Sequence, residues 1–285
     1  MKRALSLAAT LLCAATAQAD CLSDAAVAAM AEAYLAGKPA ANPESLNTAD
    51  GECSRAKLLK IIGPKLGKPV GYKAGLTNPA VQKRFNHNAP VWGQLFSNML
   101  LADGATVDAA FGARPLYEAD LLVRVASNSI NQARNAGEVL EALDQVIPFI
   151  ELPDLVVEAP PKLNGPAIAA INVGARLGVT GKPIAVPATR AERFAMLDAL
   201  RDMVVVVRAD GTEADRGKGS DVLDHPLNAV LWLAADLRRD NRALQVGDLV
   251  SLGSFSRLLP PKAGQKVSVE YQGLPGNPVV GVQFK

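Results

Sequence analysis

The segment Tyr117-Glu118-Ala119-Asp120-Leu121 places two carboxylates two residues apart within an apolar stretch. In a strand, alternate side chains share a face, so Glu118 and Asp120 project side by side. Adjacent carboxylates repel, and burying them unpaired is costly. A divalent cation relieves both penalties. A third carboxylate, Glu151, sits in the apolar run that begins at Ile147, where an acid on the core side needs a partner. Three carboxylates form a hard, all-oxygen ligand set, suited to Mg²⁺ or Mn²⁺ ahead of calcium. His87 and His225 are the only histidines, which argues against a zinc site of imidazoles and thiolates. Spacing alone favours a plainer reading, in which Glu118 and Asp120 line the solvated face of an amphipathic strand.

The elements that must position these groups follow from periodicity and punctuation. Ser23 or Asp24 caps a helical pattern through Ala26, Met30, Tyr34 and Leu35 that closes at Gly37 and Pro39. A connector from Lys38 to Asn47 leads to a second helical pattern through Leu58, Leu59 and Ile62, ending near Gly67. From Pro69 the texture turns β-rich, with a strand over Ala119 to Val125. Asn135 and Glu138 resemble a capping box for a helix whose face is Val139, Leu140, Leu143, Val146 and Ile147. Pro148 is expected to end that helix and Phe149 to Leu152 to form a strand. Met203 to Arg208, with the Asp210-Gly211 turn, reads as a hairpin. Pro226 opens a helix over Leu227, Val230, Leu231 and Leu237. Leu249 to Leu252, Lys266 to Tyr271 and Pro278 to Phe284 read as closing strands.

The first nineteen residues read as an export signal: Lys2 and Arg3, an apolar stretch from Ala4 to Ala17, and Ala17-Gln18-Ala19 before a cleavage at Ala19–Asp20. A periplasmic or secreted location is expected. The stretch is too short to span a bilayer, and no later run is long enough to do so, so no membrane attachment is expected after cleavage. The chain has 30 basic and 28 acidic residues; losing Lys2 and Arg3 leaves 28 against 28. A neutral mature protein has no nucleic-acid footprint. Cleavage also removes Cys13 and leaves Cys21 and Cys53, an even pair that reads as a disulfide in an oxidising compartment, with two free thiols as the alternative.

Several segments in order resemble one known family. Gly71-Tyr72-Lys73-Ala74-Gly75-Leu76-Thr77, Trp92-Gly93-Gln94-Leu95-Phe96 with Asn98-Met99, and Arg114 to Asp120 are among them. Pro148-Phe149-Ile150-Glu151, Gly217-Lys218-Gly219-Ser220, His225-Pro226-Leu227-Asn228-Ala229 and Gly247-Asp248-Leu249 complete the series. Together they are similar to the 2-keto-4-pentenoate hydratase and 4-oxalocrotonate decarboxylase branch of the fumarylacetoacetate hydrolase superfamily. The resemblance implies an α+β fold. A mixed β-roll body over residues 69–285 would bind the metal on Glu118, Asp120 and Glu151, and a small helical part would cover residues 20–68. It implies Lys73 as the active-site lysine, and Leu76, Gly219 and Ser220 as groups near the substrate. The alternatives are a surface lysine beside a Gly-rich turn, and glycines that simply make a turn. His225 is expected to serve the start of its helix, and Trp92 and Phe96 to be core.

The match has departures. Glu118-x-Asp120 replaces the usual Glu-x-Glu. Val91 stands where hydratases usually carry an aspartate, Asn172-Val173-Gly174-Ala175 lacks the usual hydroxyls, and Leu252-Gly253 replaces Thr-Gly. The function implied is a metal-dependent hydratase or lyase acting through an enolate on a short 2-oxo or 2-hydroxydienoic acid, with homo-oligomer formation possible. The alternative is a non-catalytic periplasmic protein that binds a small acid or a protein partner in the old pocket. Hydrolysis of an acylpyruvate ranks last, because His87 has no evident carboxylate partner.

Overall fold

Local chemistry fixes the N-terminal helices. In the computed structural model, which describes residues 20–285, Ser23 accepts from Ala26 N and caps α1 (Asp24–Ala36), and Gly37 closes it in the left-handed conformation. Asn47 and Asp50 exchange side-chain and backbone bonds in a capping box that opens α2 (Thr48–Leu66). The expected export segment lies outside the described residues. Cys21 and Cys53 form a disulfide, with Cα atoms 5.5 Å apart, joining the chain before α1 to α2.

The body follows in chain order: β1 (Pro69–Gly75), α3 (Pro79–Arg84), β2 (Val91–Phe96), β3 (Leu100–Ala102), β4 (Ala105–Val107) and β5 (Glu118–Val125). Next come α4 (Ala136–Glu141), β6 (Leu143–Leu152), α5 (Gly165–Ala170), β7 (Leu177–Thr180), β8 (Ile184–Ala185) and α6 (Arg190–Asp202). The hairpin β9 (Val204–Ala209) and β10 (Thr212–Lys218), α7 (Asn228–Arg239), β11 (Leu249–Ser251), β12 (Lys266–Gln272) and β13 (Val279–Phe284) complete it. One sheet runs β2-β1-β11-β5-β6-β7-β3, with β8 also on β6; the second runs β10-β9-β12-β13-β4. Parallel and antiparallel pairs mix in both, which makes this an α+β, mixed β-roll body. Its main core packs Leu121, Val123, Ile150, Val205, Val207, Leu233, Val269 and Phe284 between the sheets and under α4, α6 and α7. A second core joins α1, α2 and α5 through Val27, Met30, Tyr34, Leu58, Ile62 and Ile168. Among the described residues, no helix is long and apolar enough to cross a membrane.

One expected element is corrected. The helix opened by Asn135 ends at Glu141, and Leu143, Val146 and Ile147 belong to β6 rather than to a helical face. Their spacing suits either structure, and pairing of β6 along the whole of β5 decides for the strand. Pro148 sits inside β6 instead of ending a helix. Its carbonyl accepts from Gly181 N, so its donorless nitrogen points to the same side, in the gap between β8, which pairs at Gln145 and Val146, and β7, which pairs from Phe149.

Candidate active site

Register across β5 and β6 gathers the acids. Glu118 pairs directly opposite Glu151, and Asp120 lies two residues on along the same face. Lys73, on β1, lies two strands away, opposite Ser251 of β11. All four side chains are buried. They are the charged floor of an otherwise apolar region, and local sequence cannot bring them together because three different strand pairings do.

Each floor residue has a distinct set of partners. Lys73 Nζ donates to Glu151 Oε1 and, at 3.0 Å, to the Val173 carbonyl. That carbonyl is aimed by an unusual backbone: Asn172, Val173 and Gly174 have φ of 54°, 55° and 67°. For β-branched Val173 this conformation costs roughly 1–3 kcal/mol. Asn172 anchors the turn, accepting from Gln94 N at 2.8 Å and donating to Gln94 O at 3.0 Å. Asp120 is held by Ser251 Oγ and by the amides of Leu252 (3.1 Å) and Gly253 (3.0 Å). From the second sheet, buried Tyr271 brings its hydroxyl 2.5 Å from Asp120 O and 2.8 Å from Phe149 O, tying β5 to β6.

The carboxylates are under electrostatic stress. Burial, reinforced by the charge of Glu151, pushes Glu118 well above its ordinary range, and Lys73 only partly opposes this. Burial and Glu151 likewise push Asp120 up to about 7, against the Ser251 and Leu121 hydrogen bonds. Glu151 Oε2 is buried without a hydrogen-bond partner among the described residues. Unneutralised, crowded, all-oxygen acids with an orphaned acceptor fit a hard divalent cation. They are not, however, a closed trio: among the described residues, no three His, Cys, Asp or Glu side chains are gathered into a ready metal group. Glu151 turns instead to Lys73, and Asp120 to Ser251 and the 252–253 amides.

A cavity of about 330 Å³ opens above Lys73 and Glu118. Leu76, Val81, Phe85, Leu155, Ile168 and Val173 give it apolar walls. Leu76, expected near the substrate, lies in this cavity wall. Gly219 and Ser220 are not among the lining residues. Gly219 is instead packed against the Leu200 carbonyl near the end of α6, which leaves no room for a side chain. Asp215, Arg216 and Asp221 of the same stretch reach the mouth in its place. Val91 is buried in the helical core and presents no acid to the cavity, and Ala175 contributes its carbonyl to Tyr34 Oη at 3.0 Å. His87 lies outside this cavity, against Gly165. His225 Nδ1 accepts from Leu227 N at 3.1 Å just before α7. Thr77, whose buried hydroxyl in the cavity wall has no hydrogen-bond partner among the described residues, carries no distinguishing signal beyond its place in the Gly71–Thr77 segment.

The site is thus a set of buried carboxylates with a buried lysine beneath an apolar-walled cavity in a β-roll, and known proteins share this fold. The chain is 30% identical over 205 residues to 2-keto-4-pentenoate hydratase 2 of Dechloromonas aromatica (strain RCB), covering 72% of this chain and 75% of that protein. It is 30% identical over 207 residues to 4-oxalocrotonate decarboxylase of Pseudomonas sp. (strain CF600), covering 73% and 75%. Among solved structures, 4-oxalocrotonate decarboxylase from Pseudomonas putida G7, complexed with magnesium and adipate, superposes with a TM-score of 0.79 at 25% identity over 92% of this chain and 97% of that one. No family model matches the chain. The chain belongs to the family of 2-keto-4-pentenoate hydratases and 4-oxalocrotonate decarboxylases.

Proposed function

We propose that this protein is an exported, divalent-metal-dependent lyase that hydrates or decarboxylates a short 2-oxo or 2-hydroxydienoic acid through an enolate. The observation that carries the reading is the Lys73 ammonium, buried between Glu151 and the Val173 carbonyl, beside an unneutralised Glu118 on the floor of an apolar cavity. Glu118, Asp120 and Glu151 are the residues that would hold Mg²⁺ or Mn²⁺. A cation there supplies Lewis-acid stabilisation of the negative charge that develops on the 2-oxo oxygen. Lys73 is the group that delivers a proton to the enolate carbon and holds its charge in the interim, since among the described residues it is the only lysine lining the cavity. The apolar walls take the hydrocarbon chain and keep bulk water from the carbanion. The body over 69–285 carries this machinery, and the helices of 20–68 buttress it. The Cys21–Cys53 disulfide supports the exported location, because such bonds persist in oxidising compartments.

Calorimetric titration of oxalate, an enolate mimic, into the purified protein tests the reading. Binding is expected with Mn²⁺ and is expected to vanish with EDTA; a screen of 2-oxo acids then identifies turnover. Oxalate binding that is indifferent to EDTA, or absent in both conditions, would overturn it.

A further inference from the structure

Among the described residues, three hydroxyl side chains line the cavity: Thr77, Ser254 and Ser256. Two are committed. Ser254 Oγ donates to Ser256 O at 2.6 Å, and Ser256 Oγ donates to Arg257 O at 3.2 Å. Thr77 is 2% exposed, yet its Oγ1 has no hydrogen-bond partner among the described residues. Leaving a buried hydroxyl unpaired costs on the order of 1–3 kcal/mol, a cost that valine, of nearly the same shape, would avoid.

The surroundings hold that hydroxyl in place. Leu76 turns the chain at φ 54° just after β1, and Leu223 N donates to Thr77 O at 3.1 Å. Thr77 Oγ1 occupies the space where a side chain at Gly253 would stand, so residue 253 must be glycine for the hydroxyl to fit. Gly253 N in turn donates to Asp120 Oδ1. The unpaired hydroxyl therefore sits beside the loop that orients a floor carboxylate, in the wall above Lys73 and Glu118. What completes it is an acceptor arriving through the cavity.

We infer that Thr77 is a substrate-orienting residue, whose hydroxyl donates to an anionic oxygen of the bound 2-oxo acid. This rests on the metal-dependent 2-oxo acid reading given above. It also supplies a polar contact within the cavity wall itself, where Val91, Gly174 and Ala175 contribute none.

The test is oxalate affinity in Mn²⁺, compared between the parent chain, Thr77→Val and Thr77→Ser, with Mn²⁺ affinity and melting temperature measured on each. Thr77→Val is expected to weaken oxalate by about 10- to 100-fold, the range for a hydrogen bond to a charged group. Its Mn²⁺ affinity and melting temperature should stay at or above the parent's. Thr77→Ser should restore oxalate affinity to within a few-fold. Should Thr77→Val not fold, Thr77→Ala gives the same comparison without filling the wall. A hydroxyl-free variant that binds oxalate like the parent would overturn the proposal while leaving the wider reading intact. So would Thr77→Ser binding as weakly as Thr77→Val. A parent that binds no oxalate in Mn²⁺ overturns both.

Discussion

Glu118 shows what the site costs the molecule that carries it. It is 8% exposed, stands directly opposite Glu151, and has no cationic partner within salt-bridge distance among the described residues. An amide of the same size would remove the repulsion and most of the desolvation. Glu118→Gln is therefore expected to raise the melting temperature of EDTA-treated protein by roughly 2–4 °C, the shift that about 1 kcal/mol produces in a chain of this size. The same substitution should weaken Mn²⁺ by on the order of tenfold or more if Glu118 holds the metal as proposed. Paired thermal melts, with EDTA and with Mn²⁺, check both halves. A lower melting temperature in EDTA would mean that Glu118 is a satisfied structural acid. The residue types of this floor were legible in the sequence, because three acids in apolar runs demand an explanation. Their partners were not. That Glu151 faces Lys73, and that Asp120 is saturated by Ser251 and two amides, depends on registers between strands up to about 130 residues apart in sequence.

Most strands of the body, from Ala119 to Val125 and from Lys266 to Tyr271 among them, were legible as alternating or apolar runs, but Pro148 and the stretch before it were misread. Ser23, Gly37, Asn47 and Asp50 announce their helix ends through bonds made within a few residues. The stretch from Leu143 to Ile147 makes its decisive bonds to β5, some 20 to 25 residues earlier in the chain, and its apolar spacing could not reveal that. The turn before α7 is again local, and it carries a pH prediction. His225 Nδ1 accepts from Leu227 N, a bond that only the neutral imidazole can make, and Nε2 faces the Leu197 carbonyl. Burial holds His225 below its ordinary value, opposed by the hydrogen bond to the Leu197 carbonyl and less by Asp198 and Asp202, and helped by the charge of Arg201. A depressed folded value means that the contribution is fully present above the unfolded value of about 6.5 and is lost as pH falls from there through the folded value. His225→Asn keeps an acceptor that does not titrate. The parent should therefore lose melting temperature relative to His225→Asn between pH 7 and pH 5, and parallel curves across that range would refute the assignment.

At the scale of the whole molecule, the helical part and the β-roll are joined through the site rather than merely set side by side. Helix α2 packs against α5, whose end leads into the strained turn Asn172–Gly174 that presents the Val173 carbonyl to Lys73. Tyr34 of α1 donates to Ala175 O just beyond that turn, and Arg176 returns a bond to Tyr34 O at 2.5 Å. The start of this arrangement is stitched to α2 by the Cys21–Cys53 disulfide, by Leu22 N to Ser54 Oγ at 2.9 Å, and by Lys57 to Leu22 O at 3.1 Å. Closing a loop of 32 residues' separation removes enough chain entropy from the unfolded state to contribute about 3–4 kcal/mol. Reduction, or Cys53→Ser, is therefore expected to lower the melting temperature by roughly 10 °C. Because α1 braces the turn behind Lys73, reduction should also weaken Mn²⁺-dependent oxalate binding at temperatures where the protein remains folded. Melts and titrations in matched oxidising and reducing buffers separate the two effects. A melting temperature indifferent to reductant would remove the disulfide from the stability of the fold. Full oxalate affinity in the reduced, folded protein would show that the strained turn is held by the β-roll alone. Loss of both would make the redox state of the compartment a condition for the site itself, since the bond that clasps the N-terminal helices also steadies the carbonyl that holds Lys73.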